Sequence, residues 1–191
     1  MVWLILGLVL FLGIHSVRMV APGFRDRLIA ERGEGAWKGI YSVVALIGLV
    51  LLVWGFGQAR QDAPVLWVPP TFMAHINLLL MLPALILLVA SQLPASYMKR
   101  AVKHPMILAV KIWAFGHLLA NGDLASLLLF GAFLAWGVWN RIAVKRRGDP
   151  VFGEPKAMYD GIAAVVGTLI YLWLILQGHL WLFGVPPIAV A

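Results

Sequence analysis

The stretch Lys103-His-Pro-Met-Ile-Leu-Ala-Val-Lys-Ile-Trp-Ala-Phe-Gly-His-Leu-Leu-Ala-Asn-Gly-Asp123 decides how this chain is read. Its apolar run is that of a membrane-spanning helix, yet it carries His104, Lys111, His117, Asn121 and Asp123. Lipid accepts such groups only at a cost of several kcal/mol each, unless they face protein or a cavity. Pro105 suits the first turn of a helix, where its missing N–H would be unpaired anyway. Asn121-Gly122 signals a turn, and Asp123 suits the N-cap of a following helix. The spacing therefore predicts a short helix over 105–120, about 24 Å long at 1.5 Å per residue.

Outward from this segment the same apolar pattern recurs. It predicts helices over about 2–20, 37–57, 71–92, 123–142 and 157–183, giving six transmembrane helices in one all-α polytopic bundle over residues 1–191. Only 12% of the residues are charged, against about 25% in a soluble domain, so there are too few charges to solvate a globular surface. The apolar runs are long and lack strand-like alternation, which favours helices over a barrel. No basic segment precedes the first apolar run, and Arg18 follows it, so residues 1–20 are expected to stay as a helix and not to be cleaved as a signal peptide. Arg25 to Arg32 alternates charged and apolar residues, the pattern of a short helix lying on the membrane surface. Pro83 is expected to kink the third span.

The net charge is +7. In a soluble protein that would suggest nucleic acid. Here Lys and Arg collect after the first, third and fifth spans, the pattern of topology and of contact with anionic headgroups, so nucleic-acid binding is not expected. The positive-inside rule puts these loops in the cytoplasm and both termini on the outer side. There is no cysteine, which excludes disulfides, thiolate sites, iron–sulfur clusters and covalently attached haem.

Each polar residue in the spans has a structural and a functional reading. Lys111 either snorkels to the interface or is a buried cation for an anionic ligand group, with Asp160 as a possible protein partner. Asn121 and Asp123 read as caps. His104 reads as a cap or a headgroup contact, and His75 and His179 as interfacial residues. His15 and His117 lie within different spans. Either can simply hydrogen-bond to a neighbouring helix. Together they suit bis-histidine ligation of a b-type haem, which takes one imidazole from each face and needs no cysteine. Helix arithmetic places the two at depths about 10 Å apart in a core about 30 Å thick, a difference that tilt or an extended first helix would close.

Several motifs in order carry a resemblance. Leu12-Gly13-Ile14-His15-Ser16 precedes a basic loop, and Gly35-Ala36-Trp37-Lys38-Gly39-Ile40-Tyr41-Ser42 follows it. Then come His104-Pro105-Met106 and the run from Trp113 through His117 to Asp123. With these the chain resembles the NnrU family of bacterial membrane proteins, over most of its length. The resemblance implies a multi-pass protein of the bacterial inner membrane, associated with denitrification genes. The same motifs are more distantly similar to the 15-cis-zeta-carotene isomerase, a haem b membrane enzyme. That similarity implies His15 and His117 as haem ligands acting on a lipophilic substrate or a nitrogen oxide. The alternative cysteine ligand of that enzyme falls on Ala114, so a thiolate switch is not expected here. Two other readings stay open. One is a non-catalytic factor or transporter supporting denitrification, with Lys111, Asn121 and Asp123 along a polar path. The other is an S-adenosylmethionine-dependent membrane methyltransferase, since Lys103-His104-Pro105 is similar to a basic-His-Pro motif of such enzymes, although their later pair of glutamates is missing.

Overall fold

The structure is a computed structural model and describes residues 1–188. Eight α-helices account for most of them. They are α1 (Val2–Val20), α2 (Pro22–Ala59), α3 (Thr71–Gln92), α4 (Tyr97–Val102), α5 (Pro105–Ala120), α6 (Leu124–Arg147), α7 (Ala157–Trp173) and α8 (His179–Phe183). A π-helical turn, Leu174–Gly178, joins α7 to α8, so the two form one apolar rod over the predicted last span. Among the described residues the only β-pairing is an isolated bridge between Val65 and Asp123.

Among the described residues, five helices are long and apolar enough to cross a membrane. The sixth apolar helix, α5, has the 16 residues that its proline start and Asn-Gly end predict. Three elements differ from expectation. The amphipathic segment around Arg25–Arg32 joins the second span, and the pair is interrupted only at Gly33, whose φ of 82° is open to glycine at little cost. The third loop contains α4, whose Ser96 N-cap accepts a hydrogen bond from the Lys99 amide at 3.1 Å. Helix α6 also runs past its predicted end, and Lys145, Arg146 and Arg147 in its last turn complement the negative end of the helix dipole.

The chain forms two compact units. The first holds Met1–Leu66 with Asp123–Ala132, and α1 packs along α2 within it. The two backbones nearly touch. A Cβ on Gly7 would lie 2.5 Å from the Leu52 nitrogen, and one on Gly55 would lie 2.5 Å from the Leu4 nitrogen. Lipid gives helices little hydrophobic drive to associate, so close packing at small residues has to supply it. Gly55→Val is therefore expected to push the helices apart and cost about 1–3 kcal/mol. A lowered melting midpoint in detergent checks this, with Gly57→Val as the control, because Gly57 faces open space.

The second unit holds Trp67–Gly122 and the chain from Phe133 onward. Here α3 packs against both α5 and α7. Small residues again set the approach: a Cβ on Gly167 would lie 2.7 Å from the Ile86 Cα. Pro83 lies inside α3 and cannot donate to the carbonyl four residues back. One residue before that carbonyl, the Leu78 oxygen accepts the Tyr171 hydroxyl of α7 at 3.0 Å.

Candidate functional site

Helix geometry places the two histidines within apolar helices in one chemical state. His15, in α1 of the first unit, has its Nδ1 2.6 Å from the carbonyl oxygen of Phe11, one turn back. His117, in α5 of the second unit, has its Nδ1 2.9 Å from the carbonyl oxygen of Trp113, also one turn back. A carbonyl only accepts, so both rings donate from Nδ1–H, and Nε2 is the nitrogen with the lone pair. This is how metal-binding imidazoles are commonly oriented, with the second nitrogen fixed by a carbonyl. Both rings are bordered by aromatics. Phe11 and Tyr41 lie at centroid distances of 4.3 and 5.1 Å from His15. Trp113 lies 5.5 Å from His117 and meets Phe133 edge-on at 5.4 Å.

The other polar residues of the opening stretch have structural duties. Asn121 donates its Nδ2 to the His117 carbonyl at 2.8 Å and closes the end of α5. Asp123 is the expected cap of α6: Oδ1 accepts the Ser126 amide at 2.9 Å and Oδ2 accepts the Ser126 hydroxyl at 2.6 Å. Asp123→Ala should remove both bonds and cost about 1 kcal/mol, read as a lower melting midpoint that Asp123→Asn largely restores. Lys111 lays its stem across Gly137 of α6, where a Cβ would come within 2.7 Å of Cγ. Asp160, expected as a partner for Lys111, instead accepts the Tyr97 and Met98 amides at 2.9 and 3.0 Å. A carboxylate on α7 thus satisfies the open N-terminus of α4, and that local demand outweighs a distant charge pairing. His75 is exposed at the start of α3, and His179 Nδ1 donates to the Val185 carbonyl at 2.6 Å.

Sequence reasoning misses one constellation, all of it in the second unit. Asp149, in the loop after α6, gathers three nitrogen-bearing side chains from two places, the adjacent Lys103 and His104 and Arg141 of α6. Lys103 Nζ reaches its Oδ2 at 2.6 Å, Arg141 reaches its Oδ1 at 3.3 Å, and His104 Nε2 stands 3.6 Å from the same Oδ1. The hydrogen bond from Lys103 holds the Asp149 carboxyl below the usual carboxylate range. Burial, reinforced by the Arg141 charge, holds His104 below the usual imidazole range, so it is neutral at pH 7. The one available signal is a lone acid directly behind Lys145-Arg146-Arg147-Gly148.

Among the described residues, no three His, Asp or Glu cluster in a way that would hold a bare metal ion. The architecture is that of an all-helical membrane-type protein, with paired long apolar helices and oriented histidines within them. The chain belongs to the NnrU family, described as "NnrU protein", whose family model matches residues 3–187. No curated protein and no solved structure matches it.

Proposed function

We propose that this NnrU-family protein is a multi-pass protein of the bacterial inner membrane, with six spans and both termini on the periplasmic side, and that it binds haem b through His15 and His117. The observation that carries this reading is the shared state of the two rings: each gives Nδ1–H to a carbonyl one turn back, which makes Nε2 the ligating nitrogen. His15 and His117 would hold the haem iron through their Nε2 nitrogens, the kind of donor a b-type haem takes from a cysteine-free chain. The aromatic borders around both rings suit a large apolar macrocycle. When bound, the haem would supply one-electron and small-ligand chemistry directed at a lipophilic substrate or a nitrogen oxide. The residues of this chain would orient the ligating nitrogens and keep bulk water from them. Ala114 stands where the related isomerase has its alternative ligand, so the reading is redox or sensing chemistry before isomerisation.

The test is an optical spectrum of protein purified from haem-sufficient cells, oxidised and then reduced. A Soret band with sharp visible bands on reduction is expected. A colourless protein would overturn the reading. The transporter alternative loses most of its polar path, because Asn121 and Asp123 serve as caps. The methyltransferase alternative rests on Lys103 and His104, which face Asp149.

A further inference from the structure

Three features meet at the start of α5, and the haem reading uses none of them. The first is strain. Lys103 is the only non-glycine residue with positive φ among those described, at φ 65° and ψ −46°. The His104 amide closes a three-residue turn onto the Val102 carbonyl at 2.8 Å. This hand of γ-turn is rare for an L-residue, and such strain persists only where surrounding structure enforces it. The turn sends Lys103 Nζ towards the same point as Arg141 and His104. The second feature is an unpaired ring nitrogen: His104 Nε2 is buried and has no hydrogen-bond partner, since 3.6 Å to Asp149 is too long for one. The third is an open helix end: α5 has no side-chain cap and begins with Pro105.

Asp149 meets these demands incompletely. It offers two oxygens to three nitrogen-bearing side chains, two of them adjacent at the start of α5 and one on α6, and the His104 nitrogen is left over. Two cationic side chains and a helix N-terminus also outweigh its single negative charge. A tetrahedral oxyanion would serve better, because a third oxygen would reach His104 Nε2 while Lys103 and Arg141 kept theirs. We propose that Lys103, His104 and Arg141 form a phosphate-binding seat at the head of α5, and that the Asp149 carboxylate is its resident, displaceable occupant. The ligand is a phosphate ester or phosphate ion. Its source is either the headgroup of an anionic phospholipid, at the end of the spans where Lys and Arg collect, or a soluble phosphate.

The experiment follows the melting midpoint of the full-length, detergent-purified protein by its tryptophan fluorescence. Three probes are titrated: dioctanoyl-phosphatidylglycerol, dioctanoyl-phosphatidylcholine and inorganic phosphate. The anionic lipid is expected to raise the midpoint in a saturable way, and the zwitterionic lipid is not. A response to the anionic lipid without one to inorganic phosphate identifies a headgroup seat, while equal responses identify a soluble phosphate. Asp149→Asn removes the competing charge and should bind roughly threefold tighter. Arg141→Gln should bind about tenfold more weakly. Equal responses to the two lipids with none to phosphate would overturn the proposal. So would an Asp149→Asn protein that binds no more tightly than the parent, the mark of a purely structural clasp.

Discussion

Protein carrying His15→Ala and His117→Ala together is expected to be folded, to elute like the parent in size-exclusion chromatography, and to carry haem at background level. Both rings donate to backbone carbonyls of their own helices, and those carbonyls keep their helical amide partners when the ring is lost. The substitutions therefore leave the backbone ladders of α1 and α5 in place. Each single variant should leave one imidazole and shift the spectrum from six-coordinate to five-coordinate character. A Soret band in the double variant matching the parent's would place any haem elsewhere. The loss of fold in both single variants would separate a structural role from a ligating one, because His→Met should then rescue the fold whether or not it rescues the spectrum.

A second substitution should be nearly as damaging for a purely steric reason. In Gly122→Ala the new Cβ would sit 1.8 Å from the Trp67 carbonyl oxygen, 2.8 Å from its carbon and 3.2 Å from Pro69 Cδ. No rotamer relieves a clash at Cβ, so the backbone has to move. The same two residues are tied by the Trp67 amide, which donates to the Gly122 carbonyl at 3.2 Å. Moving one breaks the other. The expected cost is about 3 kcal/mol or more, seen as poor yield and a depressed melting midpoint. Gly153→Ala, at a glycine facing open space, provides the control. If Gly122→Ala melts like the parent, the close pairing of these two segments is not required for folding.

Much of this architecture is legible in the chain because the bilayer imposes a simple demand. Backbone polar groups must be satisfied within each apolar segment, so uninterrupted apolar runs become helices and their ends show as proline, glycine and charge. Asp123 as a cap and Pro105 as a helix start are both readable from their neighbours alone. The unread parts depend on distant partners. Helix α4 has only six residues, too few for periodicity to reveal, and its N-terminus is satisfied by Asp160, 63 residues beyond Tyr97. From the sequence, only a shared predicted side of the membrane points to Lys111 for that carboxylate. The Asp149 constellation joins residues 46 and 8 positions apart in sequence, and nothing in the spacing of Lys103, Arg141 and Asp149 marks them as neighbours. The histidines are visible in the sequence, but the nitrogen each presents is not, since that depends on which carbonyl the folded helix brings beneath the ring.

The wide turn at Leu174–Gly178 sets a rule about chain length. A π-turn holds one residue more than the α-helix it interrupts. Removing a single residue there would let the rod run on as an ordinary α-helix with everything beyond facing nearly as before, because the wide turn is what absorbs the extra residue. His179, Trp181 and Phe183 would still look out from the same side. The rod therefore tolerates the loss of one residue between Trp173 and His179, whereas one residue lost from the regular turns of α7 would rotate everything beyond by about 100°.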